Sequence, residues 1–302
     1  MKNKVSVVFF TFKRAIILHS ALTSLIKFSG HIIEYPINII YHYDKDHDAS
    51  YRLLKKRFKN KIIIHKRKKQ SFIKIFLLLL RPLNLLWVLR YPWMLKNYTN
   101  FKDLLEKILS EDKSNLVMLC TDDTIFYRKV SITKKIFNLI EHLKEKVFFR
   151  TNFGLNLKGI YYARKKSYER FENSRSKYII WNSKNKNCNY HMKYHFQVEG
   201  AIYNRLSLFR FLKPIIYHNP VTLEAIGFRE AKLRGYFYQT ISEKKRSAVT
   251  YEINSVQKDT NLRFNYRMQL NPVLLMKAYL NNYILYNVIP FKQQNLSKIV
   301  PK

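Results

Sequence analysis

The sequence predicts an α/β protein in which a Rossmann-like, mixed and mainly parallel sheet is flanked by helices and followed by a mostly helical C-terminal part. Apolar, β-branched runs alternate with amphipathic segments over residues 5–65, the order expected of a doubly wound sheet. Hydrophobic residues make up 47% of the 302 residues, so the chain can bury the core of one large domain. Only 6 Gly and 8 Pro argue against a loop-rich β-sandwich.

Residues 1–152 contain most of the strand signals. Val5–Thr11 is a continuous apolar run, typical of a strand buried on both faces. Similar runs predict further strands at 37–43, 61–65, 116–120 and 147–151. Apolar residues at helical spacing predict helices over 13–30, 50–58, 101–109 and 132–143, the first ended by Gly30 and the third capped by Asn100.

Residues 153–288 show weaker periodicity and are expected to be mostly helical. One helix is predicted over 200–212 and another over 220–233. Asn219 is placed to cap the second helix, Pro220 suits its first position and Gly235 is placed to end it. Residues 289–302 are interpreted as a tail.

The two cysteines, Cys120 and Cys188, have no metal-like spacing and form no disulfide framework, which favours a reducing compartment. The N-terminal apolar run is interrupted by Lys13 and Arg14, and no small-residue cleavage site follows. We therefore expect the first strand of a cytosolic fold rather than a signal peptide.

The net charge is strongly positive, with 56 Lys and Arg against 20 Asp and Glu, or +36. Attraction to nucleic acid, anionic lipid or a phosphorylated substrate explains such a charge. A coding bias toward Lys, Asn, Ile, Phe and Tyr explains it equally well. The basic residues are spread along the chain, so the charge by itself does not identify a partner.

Residues 71–95 are the most apolar stretch of the chain. Arg81, Pro82 and Arg90 interrupt it, so no uncharged run approaches the roughly 18–20 residues of a membrane span. The favoured interpretation is buried helices behind the sheet. The alternative is an amphipathic surface on a bilayer, with Tyr91 and the tryptophans Trp87 and Trp93 at headgroup depth.

Two adjacent carboxylates, Asp122 and Asp123, directly follow the apolar run 116–120. Open α/β folds bind ligands at this carboxyl edge of the sheet. Mg²⁺ and Mn²⁺ prefer oxygen ligands and often complete their shell with substrate phosphates, so the pair is a candidate metal site. The alternative is a pair of solvent-facing turn residues.

A second candidate region lies at the ends of the first two strands. Arg14 is placed to reach a diphosphate, and an acidic side chain there is placed to accept from a nucleotide base. The alternative for the acidic loop 44–48 is a separate metal cluster or a solvated turn. The candidate ligand-binding residues are Thr11, Phe12, Arg14, Asp44, Asp46 and Asp122.

Glu199 precedes Gly200 and a predicted helix, where a partly buried carboxylate could act as a general base. The alternative is an acid that stabilises the start of a helix. Glu224 has the same two interpretations. His191 and His195 have the spacing of helical metal ligands, but no HExxH motif accompanies them.

Together, the motifs VSVVFFTFKR, INIIYHYDKD, LVMLCTDDTIF, VFFRTNFGLNL, HFQVEGAIYN, HNPVTLE and EINSVQKDTN resemble, in order and spacing, those of bacterial GT-A type glycosyltransferases of surface-polysaccharide and lipopolysaccharide biosynthesis. The resemblance covers roughly residues 4–265. It implies a GT-A fold whose 1–152 half binds a nucleotide sugar, with Mn²⁺ or Mg²⁺ at Asp122 and Asp123. Catalytic roles carry over to Glu199 and Glu224, although Glu199 stands where the family motif has Asp.

The resulting hypothesis is a metal-dependent, inverting transferase of the hexosyltransferase kind. It would act in the cytoplasm, or at the inner face of the membrane, on a glycan or lipid-linked glycan acceptor. Two alternatives from other classes are a basic nucleic-acid-binding protein and an inactive GT-A scaffold of a glycan assembly complex.

Overall fold

In the computed structural model, one nine-stranded mixed sheet organises the chain. The structure describes residues 4–69, 76–77, 80, 82–90, 98–156, 169–170, 175–188, 191–250 and 271–282. The strands are β1 Val5–Thr11, β2 Ile37–His42, β3 Ile62–Arg67, β4 Leu116–Thr121, β5 Thr124–Phe126, β6 Val147–Arg150, β7 Glu169–Arg170, β8 Tyr178–Asn182, β9 Ala201–Asn204, β10 Gln239–Glu243 and β11 Ala248–Thr250.

The large sheet has the order β3-β2-β1-β4-β9-β6-β10-β8-β7. The strand pairs β3–β2, β2–β1, β1–β4 and β6–β10 are parallel. The strands β8 and β9 run antiparallel to their neighbours, and β5 and β11 form a separate two-stranded sheet. The predicted fold class, a mixed and mainly parallel Rossmann-like sheet with flanking helices, is confirmed.

Helices cover both faces of this sheet, and alternate residues of β1 face the two resulting cores. Val5, Val7 and Phe9 pack into one core, while Val8 and Phe10 pack into the other. The helices are α1 Ala15–Ser29, α2 Asp48–Phe58, α3 Pro82–Arg90, α4 Phe101–Glu111, α5 Lys134–Leu143, α6 Arg205–Leu212, α7 Pro220–Arg234 and α8 Pro272–Leu280. The first core contains residues of α1, α2, α5 and α8, and the second contains residues of α3, α4, α6 and α7.

The helix predicted over 200–212 is wrong in its first part. Ala201–Asn204 is instead the central antiparallel strand β9, between β4 and β6. The helix α6 starts only at Arg205, where the Asn204 side chain accepts a hydrogen bond from the Ser207 backbone. The strand β10 was not predicted either. These strands are short, and their place in the sheet depends on partners distant in sequence.

The predicted caps have different outcomes. Asn219 caps α7 by accepting from the Thr222 backbone, Pro220 is its first residue, and Gly235 ends it in a left-handed conformation. Asn100 precedes α4 as predicted but does not cap it with its side chain. Its Oδ1 instead accepts from the Lys68 backbone, which joins two loops.

The interpretation of residues 71–95 as buried helices is wrong for the outer side of α3. Leu85, Leu86 and Leu89 are exposed, whereas Trp87 is buried and therefore not at headgroup depth. Tyr91 and Trp93 lie outside the described residues, as do the motif EINSVQKDTN and the tail 289–302. Among the described residues, no helix is long and apolar enough to cross a membrane.

Candidate functional site at the carboxyl edge of the sheet

The adjacent carboxyl ends of β1 and β4 bring residues from two distant parts of the chain together. Phe10 pairs with Thr121 in the parallel register, and the backbone N–H of Asp122 continues the ladder to the Phe10 carbonyl at 3.1 Å. The Thr11 hydroxyl consequently donates to Oδ2 of Asp122 at 2.7 Å. Both side chains are buried.

Arg14, the residue before α1, forms an ion-paired cluster with both aspartates. Its Nε donates to Oδ2 of Asp122 at 3.1 Å, and its Nη2 donates to Oδ1 of the same residue. Its Nη1 lies 3.4 Å from Oδ2 of Asp123. Burial alone would lower the pKa of Arg14, but the two carboxylates outweigh it and raise the pKa. The guanidinium is therefore a fixed positive charge at this edge.

The two aspartates differ in their capacity to bind a cation. Both oxygens of Asp122 accept hydrogen bonds from Arg14 and Thr11, and the residue is fully buried. Burial raises the pKa of Asp122, and the Arg14 guanidinium opposes this shift. In contrast, Oδ1 of Asp123 is buried and has no hydrogen-bond partner among the residues that the structure describes. Such an orphaned carboxylate oxygen fits a cation ligand.

Residues of the described part of the chain supply few further metal ligands. No group of three or more His, Cys, Asp and Glu side chains is arranged there to hold an ion. A cation at Asp123 would therefore take most of its ligands from a bound phosphate and water, as Mg²⁺ commonly does.

The other residues predicted at the first strands lie around the same edge. Phe12 stacks on His42 with the ring centroids 4.5 Å apart. Asp44 forms an ion pair with Lys13 at 2.8 Å. Burial would raise the pKa of Asp44, but hydrogen bonds from Lys13 and His47 outweigh it, so that the pKa is lowered. Asp46 is exposed, and its backbone N–H donates to Asp44.

Glu199 lies immediately before β9, which brings it to this same edge because β9 is antiparallel to β4 and β6. An amide chain orients the residue. The side-chain amide of Gln197 donates to Asn152 Oδ1 at 3.0 Å, and Asn152 Nδ2 lies 3.4 Å from Glu199 Oε2. Since Glu199 precedes a strand and not a helix, its interpretation as a helix-start acid is wrong.

Arg150, at the end of β6, was missed by the sequence analysis. It is buried, and its Nη1 donates to the His191 carbonyl at 2.8 Å. Within the described part of the chain its Nε has no partner. Burial lowers its pKa to about 10, while Glu199 and Glu224 act in the opposite sense. A lone charged residue at the end of the apolar run 147–149 was the available signal.

Glu224, in the second turn of α7, faces this group of charges. Part of its surface remains accessible. Burial raises its pKa well above the ordinary value of 4.5, Glu199 and Asp123 add to this shift, and Arg150 opposes it. The structure therefore brings Asp123, Glu199, Glu224 and Arg150 within electrostatic reach of one another.

The histidine pair does not form a ligand pair. His195 is buried, with Nε2 3.1 Å from the Ser183 hydroxyl and Nδ1 3.3 Å from the Tyr236 carbonyl. His191 contributes its carbonyl to Arg150. Burial lowers the pKa of both imidazoles, so they are neutral structural residues at pH 7.

Comparisons with known proteins do not identify a family. No protein-family model matches the chain, and no curated protein matches it. Solved structures that match include 4-diphosphocytidyl-2C-methyl-D-erythritol synthase from Anaerococcus prevotii, at 9% identity over 92% of this chain and 97% of that chain, with a TM-score of 0.37. Mouse xyloside xylosyltransferase 1 matches at 7% identity over 93% of this chain and 83% of that chain, with a TM-score of 0.35.

The bifunctional glycosyltransferase WbbM matches at 10% identity over 93% of this chain and 45% of that chain, with a TM-score of 0.34. TM-scores this low carry no functional argument. The function of the chain must therefore be argued from its own site.

Proposed function

We propose that this protein is a nucleotide-sugar-dependent glycosyltransferase whose donor diphosphate binds at the carboxyl ends of β1 and β4. The observation that carries the proposal is the buried cluster of Arg14, Asp122 and Asp123, with a second pair of carboxylates, Glu199 and Glu224, at the same edge. A fixed cation suits a diphosphate leaving group. A carboxylate near it suits deprotonation of an attacking hydroxyl.

In this proposal the two aspartates have separate roles. Asp122 holds the guanidinium of Arg14 in place, so that its charge faces the departing diphosphate. Asp123 offers its free Oδ1 to Mn²⁺ or Mg²⁺. When bound, such an ion neutralises the negative charge that develops on the leaving group.

Glu199 and Glu224 also differ. Burial raises the pKa of Glu224 well above its ordinary value, which favours the protonated form that can donate a hydrogen bond to the acceptor sugar. Glu199, oriented by Asn152, would take the proton from the acceptor hydroxyl. The hydroxyl oxygen then forms the new bond to the anomeric carbon, the bond from that carbon to the diphosphate oxygen breaks, and the configuration inverts.

The strongly basic chain and the resemblance at the level of motifs favour an anionic, growing surface glycan as the acceptor, such as a lipopolysaccharide or a lipid-linked capsular glycan. The enzyme would then act at the inner face of the membrane. Transfer of a hexose is the expected reaction.

A thermal-shift screen of nucleotide sugars, with and without Mn²⁺, tests the proposal. A matching donor stabilises the protein by mass action. We expect Arg14→Met and Asp123→Asn to remove the shift and the donor hydrolysis. Arg210→Met, which deletes an exposed charge on α6, is the matched control and should behave as wild type.

Absence of any donor-dependent shift or hydrolysis in the wild-type protein would refute catalysis and leave the inactive scaffold. Salt-dependent binding of DNA or RNA in a gel shift, without donor binding, would instead favour the nucleic-acid alternative. Unchanged hydrolysis in Asp123→Asn would refute the role given to that carboxylate.

A further inference from the structure

The helix α3 leaves three leucines exposed on the side that faces away from the core. Leu85, Leu86 and Leu89 are 45%, 61% and 69% exposed. Asn84 and Trp87, on the opposite side of the helix, are buried. Trp87 and Val88 pack on the core, so the exposed leucines form a second apolar side, where a surface helix of a soluble protein normally carries polar residues.

Two buried hydrogen bonds fix the helix in this orientation. Oδ1 of Asn84 accepts from the Ile216 backbone at 3.0 Å, and Nε1 of Trp87 donates to Oε1 of Glu230 at 2.8 Å. Turning the leucines inward would break both bonds and leave buried polar groups unpaired, which is unfavourable. These hydrogen bonds therefore keep the leucines of α3 on its outward side.

The residues before α3 extend this apolar surface along the chain. Phe76, Leu77 and Leu80 are each more than half exposed. Single exposed hydrophobic residues are normal on a soluble protein, whereas a concentration of them generally marks a binding surface. We call the set Phe76, Leu77, Leu80, Leu85, Leu86 and Leu89 the leucine face.

Basic residues beside α3, together with the charge of the chain, indicate what covers the leucine face. Arg90 ends α3 and is exposed, and Arg229 lies over the Trp87 ring at 5.4 Å. With a net charge of +36, two copies of the chain repel each other, which disfavours a homodimer. An anionic lipid surface attracts such a protein, and each Lys or Arg near the surface adds to this attraction. Because no described helix is long enough to span a bilayer, the leucines would enter only the boundary between headgroups and acyl chains.

The leucine face is also connected to the candidate site through α7. Glu230, which holds Trp87, lies on the same helix as Glu224 and six residues after it. At 1.5 Å per residue, the two backbone positions are about 9 Å apart along the helix axis. The residue that anchors α3 and a carboxylate of the candidate site therefore lie on one helix, about 9 Å apart along its axis.

We propose that the leucine face is a docking surface for an anionic lipid bilayer, which brings the carboxyl edge of the sheet to an acceptor held at that bilayer. The lipid-borne acceptor rests on the proposed function. Docking to the bilayer does not, because it depends only on the leucine face and the basic charge of the protein.

Co-sedimentation with vesicles tests the docking. We expect the wild-type protein to bind vesicles that contain phosphatidylglycerol and phosphatidylcholine much more tightly than vesicles of phosphatidylcholine alone. Added salt should release the bound protein. Leu86→Ser/Leu89→Ser should reduce binding about tenfold or more, since each leucine loses apolar area that the bilayer buries.

The matched control is Leu274→Ser/Leu280→Ser on α8, whose leucines are 63% and 39% exposed. This helix packs on the core at the other face of the sheet, so the control should bind vesicles as wild type. Both variants change exposed positions, and equal urea midpoints would verify that they fold.

Equal vesicle binding by wild type and Leu86→Ser/Leu89→Ser would overturn the proposal, as would an equal loss in the control. A homodimer that dissociates in Leu86→Ser/Leu89→Ser, measured by sedimentation without lipid, would assign the face to a second copy instead. Donor hydrolysis without vesicles is measured in parallel. Its absence would refute the enzyme proposal and leave the docking result standing.

Discussion

Gly200 lies between Glu199 and β9 at a position where any side chain is doubly unfavourable. Its φ is +70°, a left-handed conformation. A Cβ placed there would lie 2.2 Å from Oγ1 of Thr151. That hydroxyl is buried and donates to the Gly200 carbonyl at 2.8 Å. We therefore predict that Gly200→Ala strongly destabilises the fold.

The magnitude follows from two contributions. The left-handed conformation costs about 1–2 kcal/mol for a residue with a Cβ. The contact with Oγ1 forces Thr151 to rotate, and the loss of its buried hydrogen bond costs about 1–3 kcal/mol. We expect the free energy of unfolding to fall by about 2–5 kcal/mol, measured by urea titration with circular dichroism and tryptophan fluorescence.

Gly235 provides a matched control, since its φ is also +70° but nothing lies within 4 Å of its added Cβ. Gly235→Ala should therefore cost only the conformational part, about 1–2 kcal/mol. In Gly200→Ala/Thr151→Ala the obstructing oxygen is removed, so the double variant should lose less stability than the sum of the single variants. Equal effects of Gly200→Ala and Gly235→Ala would refute the steric argument.

Two further stability predictions concern α7. The pKa of Glu224 is raised in the folded state. Deprotonation of this carboxyl therefore destabilises the folded protein as the pH rises above the unfolded-state pKa near 4.5. In urea titrations at a series of pH values, Glu224→Gln should be as stable as wild type in acid and progressively more stable than wild type toward neutral pH. A stability difference that does not change with pH would contradict the raised pKa. Asn219→Ala removes the acceptor of the Thr222 N–H at 2.8 Å and should cost about 0.5–2 kcal/mol in urea titrations. Asn219→Asp keeps an acceptor and should stay near wild type, and equal losses in the two variants would rule out capping.

The strands β1, β2 and β4 were predictable because they are buried on both faces. Every residue of Val5–Thr11 is buried, and a strand that is buried on both faces has a continuous apolar sequence. The start of α7 was equally visible, because Asn219 and Pro220 act on the nearest backbone groups. Where local chemistry decides the structure, a single sequence is sufficient.

The paired aspartates were also found from local pattern, since they follow an apolar strand directly. Their separate environments were not predictable. Asp122 accepts hydrogen bonds from Arg14, which lies 108 residues earlier in the chain. Only the parallel register of β1 and β4 brings these two residues together. Arg150 was missed because its neighbours, Glu199 and Glu224, come from the start of β9 and from α7.

Periodicity therefore determined the fold class, the first strands and the acidic end of β4, since each depends on residues adjacent in sequence. Only the tertiary structure decided that Ala201–Asn204 is a strand, that Trp87 is buried and that the leucines of α3 face outward. The physical reason is that these outcomes depend on hydrogen-bond partners distant in the chain. For β9 these partners are β4 and β6, and for α3 they are Ile216 and Glu230.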